Sequence, residues 1–307
     1  MATTSIRFDS ASLAWRGFWR KLSAPRRSDA CIHLRGAWRH LRLPSPAVWF
    51  AGRRYCLRQC LEHALAETLR GTRSAPKLAA FSHRVPLGLF LISRQQLTAE
   101  QLQTAVTAQR AAGHGRIGDW LQALGFVTEQ QVTAALAWQW ACPVLRPSFF
   151  PFDPRRAPQI PVSLLESFGM VPVAYAESPA TLHIAFGERV DYTALYAIEQ
   201  MLGCHTEPCL VVPSFVRACL DTLSTQRGDT EIVFESLPDR SEFSRIIRSY
   251  CVRLTASEVR LVPCGPHTWA RLWRASHPPL DLVLRSRQIQ AASAIAWRSS
   301  VPTLSIH

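Results

Sequence analysis

PLGLFLISRQQLTAEQLQTAVTAQ (residues 86–109) and RIGDWLQALGFVTEQQVTAALAWQ (residues 116–139) are one 24-residue pattern written twice. A shift of 30 residues lays Leu87 on Ile117, Gly88 on Gly118, Leu91 on Leu121, Thr98 on Thr128 and Gln101 on Gln131. It also lays Leu102 on Val132, Val106 on Leu136 and Gln109 on Gln139. So many matches at one period mark a duplicated helical unit, whose apolar faces are buried by stacking the copies. Each copy carries its own helix start. Thr98-x-x-Gln101 and Thr128-x-x-Gln131 read as capping boxes ahead of apolar stripes at helical spacing. The unit predicted from this pattern is a short helix, a turn, and a longer capped helix ending near the Gln.

Written as R-L-G-x-x-L-x-x-x-G-x-x-x-x-x-x-L-x-x-x-L-x-x-Q, the tandem pattern resembles the MshEN domain. That domain stands at the N-terminus of type II secretion and type IV pilus assembly ATPases, and in some of them it binds cyclic di-GMP. The second copy carries Arg116, Gly118, Leu121, Gly125, Leu136 and Gln139, with Ile117 and Val132 as conservative substitutes. The first copy keeps Leu87, Gly88, Leu91, Leu102 and Gln109, but has Pro86 in place of Arg and Gln95 in place of the second Gly.

The resemblance implies a ligand site, and the residue types suit one. A cyclic dinucleotide offers two phosphates and two flat guanines. Arg116 can pair bidentately with a phosphate or a guanine edge. Gly118 and Gly125 let backbone approach without a Cβ in the way. The leucine ladder is expected to lie against the base faces, and Gln139 to hydrogen-bond a base edge. The competing reading of the same residues is that the stripe is core and the glycines mark helix ends.

The 307-residue chain has room for two or three domains, and its mean hydropathy of zero is that of a globular protein. Neither a membrane-spanning run nor a signal peptide is apparent, so a cytoplasmic location is expected. Charge is uneven: residues 1–84 carry 16 Lys and Arg against 4 Asp and Glu, whereas residues 85–307 carry 19 against 18. The basic first segment suggests an anionic partner, nucleic acid or a lipid surface, although a solvated basic surface satisfies the same composition. Nine scattered cysteines without a secretory signal argue for reduced thiols.

In chain order, residues 1–84 form a basic N-terminal region. Within it, residues 29–72 read as strand, turn, Cys-x-x-x-Cys and helix, the order of a small zinc knuckle. Cys31, Cys56 and Cys60, with His63 or His33, are the candidate ligands, on imperfect spacing. Residues 85–224 form the MshEN-like part: the helical repeat at 85–140, then a small three-stranded α/β unit at 141–224. Ile160-Pro161, Leu164, Val171-Pro172 and Asp191 carry the resemblance in this second half. Residues 226–238 read as a polar linker. Residues 240–307 read as a small α+β domain of helix, hairpin and third strand, loosely similar to the domain that follows MshEN in the assembly ATPases. The expected fold class is thus α+β.

No G-x-x-x-x-G-K-[ST] occurs, so no loop is present to cradle a triphosphate. The G-x-G-x-x-G formed by Gly113, Gly115 and Gly118 follows a helix rather than a strand, which argues against a dinucleotide fingerprint. G-x-S-x-G and H-E-x-x-H are absent too, so a non-catalytic protein is expected. Three functions remain: a cyclic di-GMP-binding regulator of a secretion or pilus system, a protein-docking adapter without ligand, and a nucleic-acid binder acting through residues 1–84.

Overall fold

The structure is a computed structural model and describes residues 47–57, 59–71, 85–147, 160–225, 230–235 and 240–285. It is a mixed α+β fold, and its described residues pack around three apolar cores.

The first core is the helical repeat. Helices α2 (Leu87–Ser93), α3 (Ala99–Ala112), α4 (Ile117–Ala123) and α5 (Glu129–Trp140) enclose Leu91, Leu97, Ala105, Leu121, Val127, Val132 and Ala135. Both capping boxes form. Thr98 Oγ1 accepts the Gln101 N–H at 3.2 Å while Gln101 Oε1 accepts the Thr98 N–H at 3.0 Å. The equivalents in the second copy are 3.3 and 2.7 Å. Each pair satisfies two helix-end donors.

The second core belongs to the α/β half: α6 (Val162–Phe168), β3 (Met170–Glu177), β4 (Ala180–Phe186), α7 (Tyr192–Leu202), β5 (His205–Leu210) and α8 (Pro213–Thr225). Its sheet runs β3-β4-β5, with β3 antiparallel and β5 parallel to β4. Leu136 and Trp140 of α5 pack onto this core, and Leu136 also touches the repeat's own core, so α5 joins the two halves.

The third core lies under a six-stranded sheet of order β2-β1-β7-β8-β9-β6. Its strands are β1 (Ala47–Phe50), β2 (Arg53–Cys56), β6 (Glu231–Glu235), β7 (Glu258–Cys264), β8 (His267–Trp273) and β9 (Leu280–Arg285). Helices α1 (Gln59–Gly71) and α9 (Arg240–Arg253) cover one face. Leu61, Leu65 and Leu69 meet Phe243, Ile247 and Cys251, two stripes of identical i, i+4, i+8 spacing. The opposite face, through Val262, Cys264, Trp269 and Val283, packs into the core of the α/β half. On that face Arg271 and Asp281, both nearly fully buried, pair through two bonds of 2.7 Å, and Trp269 Nε1 donates to Asp281 Oδ1 at 2.7 Å. Burying such a pair is tolerable only with this degree of satisfaction.

Two expectations change here. Residues 47–71 do not stand apart with the N-terminal region: β1 pairs parallel with β7 (Trp49↔Glu258, Phe50↔Val259) and α1 packs on α9. The leucine stripe of α1 has to be covered, and α9 covers it. Glu62 adds ion pairs to Arg245 and Arg248 at 3.3 and 3.1 Å. The polar linker expected at 226–238 contains β6, which pairs in parallel with β9 from Glu231↔Asp281 to Glu235↔Arg285.

The zinc knuckle is not supported. Among the described residues no three His, Cys, Asp or Glu side chains come together to hold a metal. Cys56 is buried at the end of β2, and Cys60 sits on α1. His63 points to solvent beside Glu67, 3.3 Å away. Cys31 and His33 lie outside the described residues. The Cys-x-x-x-Cys pair here spans the end of β2 and the first turn of α1.

Candidate functional site

The two copies of the repeat pack as reciprocal partners, α3 on α4 and α5 on α2. Their glutamines show this most clearly. Gln109, at the end of the first copy, donates to the Gly115 carbonyl at 2.9 Å, just ahead of the second copy's first helix. Gln139, at the end of the second, donates to the Val85 carbonyl, just ahead of the first copy's first helix. Each Gln thus fixes the start of the other copy. The Gln139 amide, expected at a base edge, has a partner within the repeat itself.

The glycines also serve packing. A Cβ on Gly88 would sit 2.6 Å from Leu102 Cδ1; one on Gly118 would sit 3.3 Å from both Leu87 Cδ2 and Val132 Cγ1. In both copies the short helix therefore carries Gly where the long helix's Leu or Val must seat. Gly125 is different: its φ of 70° is left-handed, a conformation other residues adopt at a cost. Gln95, at the equivalent place, holds φ 56°. The substitution leaves the backbone turn intact and adds strain.

The leucine ladder is mostly interior. Leu91 and Leu121 are completely buried and Val132 nearly so, while Leu87, Leu102, Ile117 and Leu136 are half-buried around them. The ladder's innermost members are core and present no surface to a base.

Arg116 is what distinguishes the copies. It is the N-cap of α4, where Pro86 is the N-cap of α2. Asp119 Oδ2 accepts the Arg116 N–H at 3.3 Å and holds its backbone. The side chain is 59% exposed, and its Nη1 contacts the Glu188 carboxylate. Glu188 belongs to the α/β half, in the loop between β4 and α7. That loop is anchored by buried Gly187 and Val190 and by Asp191, whose Oδ1 accepts the Thr193 and Ala194 N–H groups at 2.9 and 3.2 Å. Arg189 in the same loop lies 3.8 Å from Asp191 Oδ2 and is solvent-exposed. Tyr192 follows, partly exposed, its ring centroid 6.5 Å from that of Trp140 on α5.

Arg116, Arg189, Tyr192 and Trp140 therefore supply guanidinium groups and aromatic faces at the junction of repeat and α/β half. Glu188, Arg189 and Tyr192 escape a reading based on the repeat alone, because they come from the loop after β4 and the start of α7, well downstream of the repeat. The signal present in the sequence was the Gly187–Asp191 turn. A second tie joins the halves: Glu129 Oε1 accepts the Ser214 N–H at 2.8 Å and Oε2 its hydroxyl at 2.7 Å.

The thiols of this half stay protonated. Burial pushes Cys142 and Cys219 up, Cys219 to about 11. Burial, with Glu199 adding to it, takes Cys204 to about 11. Burial, with Cys142 adding to it, takes Cys209 to about 12. None is suited to act as a thiolate at neutral pH. No described helix is long and apolar enough to cross a membrane.

No family model matches the chain, and no curated protein matches it. Among solved structures it is similar to MshE with cdg (cyclic di-GMP), at 27% identity over 45% of this chain and 99% of that one, with a TM-score of 0.38. It is also similar to the N-terminal domain of XpsE, at 18% identity over 44% of this chain and 91% of that one, TM-score 0.34. A second crystal form of that domain matches at 20% identity over 43% and 89%, TM-score 0.28.

Proposed function

We propose that residues 85–224 form a non-catalytic sensory domain that binds cyclic di-GMP and passes the signal to a secretion or pilus assembly. The observation that carries this reading is Arg116: in the copy with the complete motif, an exposed guanidinium is held at the start of α4 and already accommodates a carboxylate. A guanidinium so placed can take a phosphate, and its planar fork suits two phosphate oxygens at once. Arg189 adds a further positive charge, and the partly exposed Tyr192 and Trp140 rings offer the stacking surface that buried Leu91 and Leu121 cannot. Calorimetric titration of the full chain with cyclic di-GMP tests the reading. Saturable heat with a raised melting temperature supports it, and a flat titration to high micromolar ligand refutes it.

A second reading, protein docking, has its own observation. Phe90 and Trp138 stack with centroids 4.8 Å apart at 28°, and the Arg94 guanidinium lies 5.4 Å from the Phe90 ring. Leu89 and Trp138 are each 54% exposed beside them. A surface stack of this kind suits a protein partner. Replacing Trp138 by Ser separates the two readings, because it removes the stack and leaves Arg116 in place.

A further inference from the structure

We propose that Glu188 is a built-in competitor for the ligand, occupying Arg116 in the ligand-free protein and yielding it to a phosphate on binding. The inference rests on the cyclic di-GMP reading and adds a residue outside the repeat. The guanidinium of Arg116 presents a limited set of donors in a fixed fork, and a carboxylate and a phosphate oxygen compete for the same ones. Glu188 reaches Arg116 from a loop that cannot easily withdraw. Gly187 donates its N–H to the Gly169 carbonyl at 3.2 Å, a Cβ at Gly187 would stand 3.3 Å from Pro213 Cα, Val190 is buried, and Asp191 caps α7. The carboxylate is thus presented from a rigid edge of the α/β half to a cation on the helical unit.

Two consequences follow from that placement. The affinity of the site is set partly by an intramolecular pair that has to break. Ligand binding also removes a polar tie between the halves, while the bond of Glu129 to Ser214 stays. Occupancy of Arg116 is thereby converted into a change in how firmly the repeat is held against the sheet of the α/β half. Such a change is what a sensory domain has to transmit.

The test is calorimetric titration of the full chain with cyclic di-GMP in the wild type, Glu188→Gln, Arg116→Ala and the double variant. Arg116 is 59% exposed and Glu188 33%, and ion pairs open to solvent contribute little. Glu188→Gln is therefore expected to tighten binding by about two- to fivefold. In the Arg116→Ala background the same change is expected to produce no gain, because nothing remains to be released. Wild-type binding with no tightening in Glu188→Gln overturns the proposal while leaving the proposed function standing. An equal gain in the Arg116→Ala background also overturns it, since the effect is then general electrostatics. Absence of binding in both the wild type and Glu188→Gln refutes the ligand reading itself, and this proposal with it.

Discussion

The two copies of the repeat share one frame of core, caps and turns, and differ most in chemistry at the start of the short helix. Their leucines sit in one core, their Thr and Gln residues close the same capping boxes, and their terminal glutamines hold each other's first helix in place. Even Gln95 adopts the left-handed turn that Gly125 adopts in the second copy. The N-cap of the short helix, by contrast, changes from a cation, Arg116, to Pro86. Most of the motif is therefore an instruction for folding, and the exposed arginine is the part of it that the fold does not consume. A copy can lose its ligand contact and still be needed, because its partner cannot bury its face alone.

The largest effects should fall equally on the two copies. Leu91→Ala and Leu121→Ala each empty a fully buried position and should each cost about 2–5 kcal/mol in urea unfolding. A clear loss in one copy with none in the other would break the equivalence. The next effect is on ligand binding and should be one-sided. Pro86→Arg places a cation at the equivalent N-cap of the first copy and should tighten cyclic di-GMP binding roughly tenfold, the size of a charge-assisted contact. Calorimetry reads this directly, and an unchanged constant would show that the first copy's helix start does not face the ligand.

Smaller still are the caps. Thr98→Ala and Thr128→Ala should each lower stability by about 1 kcal/mol in chemical denaturation, with little difference between them. The smallest effect sharpens the contrast at the turn. Gln95→Gly should raise stability by roughly 0.5–1 kcal/mol by relieving the left-handed strain, and leave ligand affinity unchanged. An affinity gain from that substitution would mean the turn, not the arginine, separates the copies.

The repeat was legible because its signals are local. A capping box, an apolar stripe and a period can all be read within 24 residues. The α/β half was legible for the same reason, with Gly169 and Gly203 ending helices where expected. What escaped depends on distant pairing. Strands β1 and β2 join through Ala51 and Gly52, both at positive φ, a hairpin turn that an Ala-Gly pair signals less strongly than Asn-Gly. The place of β1 beside β7 cannot be seen from residues 47–56 alone. β6 is a five-residue edge strand inside a polar stretch and gains its identity from β9. The motif's glutamines and glycines were visible, but their role was not. A residue that suits a ligand also suits a neighbouring helix, and only the fold shows that Gln139 serves Val85 and Gly118 serves Val132.

One titration bears on all of this most directly. Cyclic di-GMP added to the wild-type chain and to Arg116→Ala, with matched melting curves in the absence of ligand, separates the folding role of the motif from its binding role. The account predicts saturable binding by the wild type, at least tenfold weaker binding by Arg116→Ala, and nearly identical unliganded stability, since the side chain is exposed and its ion pair contributes little. Equal affinities in the two proteins would contradict it.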